Sequence, residues 1–297
     1  MYEGYFGLTS KPFSLLPEAN YLFLSKRHQH IVNILEYGMQ TQAAFIVITG
    51  DVGAGKTTII RHFLSHLPEK VTVGLITNPN KRIGSLLGWI SSAFELDHHN
   101  EDEAKMYHGF VEFLLAQYAK GLRTVLIIDE AQNLPAELLE ELRMLSNVNN
   151  EQDMLLQIIL AGQPELLDML NRTDLRQFVQ RIGAHGHLTA LNPRETQEYI
   201  RHRLMVVGGD SHIFDDYACA AVHHFSNGVP RLINLLCDQA LLYAFAENQA
   251  VVDAATVMEV AAERNETGLS VFSGTMGSKG QPDIGPELES IVAAMQA

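Results

Sequence analysis

The segment Gly50-Asp51-Val52-Gly53-Ala54-Gly55-Lys56-Thr57 constrains this chain more than any other. It fits GxxxxGK[ST], directly follows the apolar run Phe45-Ile46-Val47-Ile48, and opens a helical pattern beginning Thr58-Ile59-Ile60. A strand before and a helix after are the context in which this spacing forms a phosphate-binding loop. Its glycines let the backbone wrap an anion, so that successive N–H groups and the helix N-terminus face the negative charge. Lys56 adds a cation at the β- and γ-phosphates, and Thr57 offers a hydroxyl to Mg²⁺. The expected nucleotide contacts are therefore Gly50, Asp51, Val52, Gly53, Ala54, Gly55, Lys56, Thr57 and Thr58.

Further along, Val125-Leu126-Ile127-Ile128-Asp129-Glu130 places two carboxylates at the C-terminal end of an apolar strand. Open α/β sheets bind their ligands at that edge. Asp129 is expected to hold Mg²⁺ through its water, and Glu130 to orient and polarise the water that attacks the γ-phosphate. Loop and acidic pair together specify an ATPase whose ligands are ATP and Mg²⁺.

Between residues 45 and 191, short β-rich apolar runs alternate with helix-length segments, the pattern of a parallel sheet covered by helices. Strands are predicted near 45–50, 71–77, 123–129, 154–161 and 186–190, with helices near 56–67, 83–95, 103–119, 135–147 and 164–171. After Asn192-Pro193 the β signal ends, and helical patterns near 193–207, 215–225, 230–247 and 253–264 predict a separate helical domain. Four regions follow: 1–44, an N-terminal arm and helix packing on the core; 45–191, the α/β core; 192–264, the helical domain; and 265–297, a flexible tail. Gly268 to Pro286 holds five of the 22 glycines and too few large apolar residues to order itself. In its last part Leu288, Ile291, Val292 and Met295 stand at helical spacing, which leaves a frayed end and a docking helix as alternatives.

Weaker signals sit at other strand ends. Asn78 reads either as a partner for Glu130 in an inactive setting or as a turn residue before Pro79. Gln163, just past the fourth strand, is placed to reach the γ-phosphate or the attacking water. Arg176 and Arg181 precede the fifth strand, where an arginine is either a solvated cation or one that enters a neighbouring subunit's nucleotide site. In Gly228-Val229-Pro230-Arg231, Arg231 falls in the first turn of a helix, where a cation opposes the helix dipole and an anionic partner would explain it. Tyr21 to Phe23 read equally as a base pocket or as packing of the arm.

Composition narrows the remaining classes. Against 35 Asp and Glu stand 21 Lys and Arg, a net charge of -14 that argues against general affinity for DNA or anionic membranes. The longest apolar runs are strand-length, so no membrane span is expected. Met1 to Phe6 lacks a basic stretch followed by an apolar one, so no secretory signal is read and cytoplasmic placement is expected. Cys219 and Cys237 stand apart as reduced thiols, and neither His98-His99 nor His223-His224 has a carboxylate or thiol at ligand spacing.

Taken in order, the P-loop, the hhhhDE strand, a polar residue after the fourth strand, an arginine before the fifth and a helical segment carrying GxPR resemble an AAA+ ATPase over roughly residues 1–264. That resemblance implies an α/β P-loop core with a five-stranded parallel sheet, followed by a small all-α lid. More narrowly, Tyr5-Phe6-Gly7-Leu8, Lys11-Pro12-Phe13, Tyr21 to His28, Phe45 to Gly50 and Gly162-Gln163-Pro164-Glu165-Leu166 resemble the general secretion pathway A-type ATPases. Relatives of that group are linked to mannose-sensitive haemagglutinin pilus biogenesis and to exosortase or exopolysaccharide systems. By resemblance Lys56 and Thr57 are Walker A residues, Asp129 and Glu130 Walker B, Gln163 stands in the sensor 1 place and Arg231 in the sensor 2 place. Arg181 is the first choice of arginine finger and Arg176 the second. The sensor 1 place more often holds Asn, Ser or Thr, so Gln163 departs from the common pattern.

The implied function is that of a homo-oligomeric ATPase acting as motor or switch for a bacterial envelope apparatus in secretion, pilus or exopolysaccharide assembly. It would act with an envelope-assembly protein partner, in the cytoplasm or peripherally at the inner membrane through that partner. The alternatives are a DNA-associated AAA+ ATPase of the transposition-regulator kind, which the charge disfavours, and a nucleotide-gated scaffold with negligible turnover.

Overall fold

The computed structural model describes residues 1–15, 21–79, 84–96, 102–150, 153–266, 272 and 285–296. In chain order the elements are α1 (Lys26–Gln40), β1 (Phe45–Gly50), α2 (Lys56–Ser65), β2 (Val71–Thr77), α3 (Leu86–Ala93), α4 (Glu103–Ala119), β3 (Arg123–Asp129), α5 (Ala136–Leu145), β4 (Asn149–Asn150), β5 (Asp153–Met154), β6 (Leu156–Gly162), α6 (Glu165–Leu170), α7 (Arg176–Val179) and β7 (Ile182–Leu188). Then follow α8 (Pro193–Val206), α9 (Asp216–Ser226), α10 (Pro230–Ala246), α11 (Ala254–Glu266) and α12 (Gly285–Gln296). None of the described helices is long and apolar enough to cross a membrane.

The chain divides into two compact units, one of Lys26–Val52 with Ile59–Leu188 and one of Met1–Ser25, Gly53–Thr58 and Thr189–Ala297. The first is built on a five-stranded sheet of order β2-β3-β6-β1-β7, with every neighbouring pair parallel. Strands β1 and β6 are buried at every position, and β3 at every position but Arg123. A central parallel strand covered on both faces needs apolar side chains pointing both ways, which is why runs such as Phe45–Ile48, Val125–Ile128 and Ile158–Ala161 stand out in the sequence. The edge strand β7 alternates instead, with Gly183, His185 and His187 outward and Gly186 and Leu188 inward. Two glycines and two histidines obscure its start, and the strand begins at Ile182 rather than near 186 as expected.

Capping side chains fix where several helices begin. Asp102 accepts from the N–H of Lys105 at the start of α4, and Asp215 from that of Ala218 at the start of α9. Asn192 and Glu195 form a reciprocal capping box at α8, with Pro193 in the first turn. This device sits where the sequence changes from strand-rich to helical.

The second unit is helical. Phe214, Phe225, Ile233, Leu236 and Leu241 are fully or almost fully buried in its core, together with Phe13. Here the expected 1–44 arm is corrected: its first part, Met1–Ser25, belongs with the helical unit, and only α1 belongs with the sheet. The buried Arg203 explains the attachment. Its guanidinium donates to the carbonyls of Pro12 and Ser14 and lies over the Tyr21 ring, 4.4 Å from the centroid. Phe13 meets Phe214 edge-on, and Phe23 meets Tyr199 in the same way, so Tyr21 and Phe23 serve as packing residues of this unit.

The 265–297 stretch, expected as a flexible tail, carries α12 from Gly285 to Gln296. It packs on α8 and α9 with Leu288 and Met295 buried, so of the two alternatives the structure gives the docked helix and not the frayed end. Residues 267–271 and 273–284 of that stretch lie outside the described residues.

Candidate nucleotide site

The P-loop joins the C-terminal end of β1 to the start of α2. Gly53 and Gly55 have φ of +80° and +105°, conformations that suit glycine. A Cβ on Gly53 would stand 2.7 Å from the Cβ of Arg231, so the loop has no space for a side chain there. Ala54 and Lys56 are buried, while Asp51 and Val52 are exposed. A loop of this kind, with two glycines at positive φ and a buried lysine at the first helical position, fits the triphosphate of a nucleotide.

Strands β1, β6 and β3 are adjacent and parallel, with Thr49 in register with Gly162 and Ile128 with Leu160. Gly50, Gly162 and Asp129 consequently end three neighbouring strands on one edge of the sheet. Asp129 is buried, and its Oδ1 accepts from the N–H of Glu130 at 3.0 Å. Glu130 itself turns the chain sharply, with the left-handed φ of +56°. Its Oε2 accepts from Gln132 Nε2 at 2.6 Å and from Gln163 Nε2 at 3.1 Å. The amide of Gln132 also accepts from the backbone N–H of Gln163 through Oε1, at 3.0 Å. This places Gln163 beside Glu130, within hydrogen-bonding distance.

Of the two readings of Asn78, the structure gives the turn: its φ is +54° and its Oδ1 accepts from Asn133 Nδ2 at 3.1 Å, while the two glutamines meet Glu130. Gln132 went unnoticed in the sequence. Its only signal there is a two-headed amide two residues beyond the acidic pair.

The two arginines ahead of β7 differ. Arg181 is half-buried, and its Nη1 donates to the carbonyl of Arg143 and to Ser146 Oγ at the C-terminal end of α5. Arg176 begins α7 and is exposed. Arg231 is exposed in the first turn of α10, and its backbone N–H donates to the carbonyl of Gly53 at 3.3 Å.

The paired histidines are accounted for separately. His223 exchanges a hydrogen bond with Thr196 Oγ1, and burial, reinforced by the neighbouring His224, pushes its imidazole down to about 4. His224 pairs with Glu287 at 3.4 Å. His98 and His99 lie outside the described residues. Cys219 and Cys237 are buried free thiols, and burial raises Cys219 to about 12.

Residues 39–170 match the AAA domain family, which spans the P-loop, the acidic pair and Gln163. Residues 39–170 are therefore an AAA domain, and the five-stranded parallel sheet with the helical unit that follows is the AAA+ ATPase fold. Among solved structures it is similar to the ADP form of the ORC2 protein of Aeropyrum pernix, with a TM-score of 0.62 and 15% identity over 96% of this chain and 88% of that one. Cdc6p of Pyrobaculum aerophilum gives a TM-score of 0.63 at 13% identity, over 84% of this chain and 71% of the other. At these identities the likeness is one of fold. A nearer relative is General secretion pathway protein A of Aeromonas hydrophila, 42% identical over 247 residues, which are 83% of this chain and 45% of that protein. The chain thus spans less than half the length of that relative.

Proposed function

We propose that this protein binds ATP with Mg²⁺ and hydrolyses it as the motor or switch of a bacterial envelope apparatus, working as a homo-oligomer. The reading rests chiefly on the Glu130 carboxylate, held by Gln132 and Gln163 on the sheet edge from which the P-loop leaves. Assignment to the envelope rests on the relative of the general secretion pathway, and pilus or exopolysaccharide assembly are the variants of that role.

Each residue has a chemical task. The P-loop N–H groups and the Lys56 ammonium bind the phosphates and offset their charge. Thr57 and Asp129 would hold Mg²⁺, which would offset the negative charge of the phosphates. Glu130 orients the attacking water and draws on its proton as the new P–O bond forms and the bond to the leaving oxygen breaks. Gln163 contacts the same carboxylate and is placed to report the γ-phosphate. Arg231, and Arg176 or Arg181 from a neighbouring subunit, supply cations to the transferring group.

The test is a pair of variants. Lys56→Ala is expected to abolish tight ATP binding by calorimetry, because the phosphates lose their main side-chain cation. Glu130→Gln should keep ATP binding and lose phosphate release, since an amide holds the shape but cannot take up the proton. Unchanged affinity in the first, or unchanged turnover in the second, rejects the reading.

A further inference from the structure

We propose that Gln132 is a positioning residue for hydrolysis, whose side-chain amide, seated over Gly162, fixes the Glu130 carboxylate. The proposal deepens the ATPase reading above and rests on it.

The hydrogen bonds determine which way the Gln132 amide faces. A backbone N–H can only donate, so the amide atom 3.0 Å from Gln163 N must be the oxygen. The amide nitrogen is then turned to Glu130 Oε2, 2.6 Å away. Gln163 Nε2 donates to the same oxygen at 3.1 Å, closing a ring of bonds among three side chains and one backbone N–H. Both ends of the Gln132 amide are therefore committed. Only a side chain with a donor and an acceptor at this reach satisfies both partners.

Space and backbone support the same assignment. A Cβ added to Gly162 would lie 3.1 Å from Gln132 Oε1 and 2.9 Å from Leu166 Cδ2, so the amide lies where only a glycine leaves room. Glu130 occupies the left-handed region at φ +56°, which costs a non-glycine residue roughly 1 kcal/mol or more. The turn that follows, Ala131–Asn133, is held by the buried Ala131 and by the bond from Asn133 to Asn78 at the end of β2. Gln132 is thus presented from a turn tied down beside it, and it connects the ends of β3 and β6 through the one carboxylate proposed to act on water.

The experiment uses the full chain with Gln132→Glu, Gln132→Met and, as a control on the underlying reading, Glu130→Gln. Gln132→Glu preserves the shape but sets a second carboxylate against Glu130, while Gln132→Met preserves length without either polar group. Both should lower kcat for phosphate release by about 10-fold or more, a fraction of what a general base contributes. ATP affinity and the melting midpoint should stay at parental values, which separates positioning from packing. Gln132→Met combined with Gln163→Ala should lose less than the product of the two single losses, because both amides act on one oxygen. Parental kcat in the Gln132 variants, or simple multiplication of losses in the double variant, overturns the role of Gln132. If Glu130→Gln itself retains turnover, the reading of Glu130 fails first and this proposal fails with it.

Discussion

Arg231 donates its backbone N–H to the carbonyl of Gly53 across 3.3 Å, so the opening turn of α10 and the middle of the P-loop are joined without either side chain. This leaves the Arg231 guanidinium exposed and available to an anion. Arg231→Ala should therefore keep the fold and lower the response to the γ-phosphate. Its difference in affinity between ATP and ADP should shrink, read by calorimetry with both nucleotides. Gly53→Ala should be worse, because the new methyl meets Arg231 at a backbone φ of +80°. We expect loss of nucleotide binding together with a stability loss of about 1–3 kcal/mol.

Arg181 was the first choice of arginine finger on sequence, yet its guanidinium is held on the last turn of α5. A cation there is favoured by the exposed carbonyls of a helix end. Arg181→Ala should cost about 1–2 kcal/mol of stability. Arg176, exposed on α7, becomes the better candidate to act on a neighbouring subunit. Arg176→Ala should leave the melting midpoint unmoved and lower turnover by about 10³-fold. Mixing it with Glu130→Gln should restore part of the activity at interfaces that unite an intact Glu130 with an intact Arg176. If mixtures with Arg181→Ala recover activity and those with Arg176→Ala do not, the original order stands.

Arg203 is the anchor of the N-terminal segment. Arg203→Met keeps much of the stem but leaves the carbonyls of Pro12 and Ser14 without their donor and removes the cation from the Tyr21 ring. The loss should be about 1–3 kcal/mol, because the two carbonyls are left without a donor. Limited proteolysis should then cut within residues 1–25 faster than in the parent. Equal cutting rates would mean that Phe13 and its apolar neighbours hold the segment alone.

His223 gives the helical unit a pH dependence of definite sign. Its imidazole is held down to about 4 in the folded chain, by burial first and by His224 second, against about 6.5 when unfolded. The unfolded chain binds the proton more readily, so this contribution is complete above about 6.5 and is lost as the pH falls towards about 4. Denaturation midpoints should drop over that window. His223→Gln, which can still bond Thr196, should show a smaller drop, and an equal drop would assign the effect to other groups.

Much of the sheet was legible because β1, β3 and β6 are buried on both faces and are apolar over most of their length. The P-loop was legible because its spacing is dictated by phosphate geometry, and Asp129-Glu130 because they end such a strand. What sequence did not reveal depends on long-range packing. Nothing local assigns Met1–Ser25 to helices that follow Thr189, since Arg203 and Pro12 meet only in the folded chain. Likewise the bond from Arg181 to Ser146 joins residues far apart in the chain, which no local pattern gives. The role of Gln132 depends on the left-handed turn at Glu130 and the bare backbone of Gly162, neither of which a motif states.

The strand order has a consequence for how the chain is made. β1 lies between β6 and β7 in the sheet, and both leave the ribosome long after it. Until Leu188 has emerged, this fully buried strand lacks one or both of its partners. Thr9 and Arg203 impose a similar wait at the N-terminus, because their partners lie at Val207, Pro12 and Ser14. Nascent chains halted before β7 should be soluble only with a chaperone over Phe45–Ile48, the exposure that non-local pairing brings to a growing polypeptide.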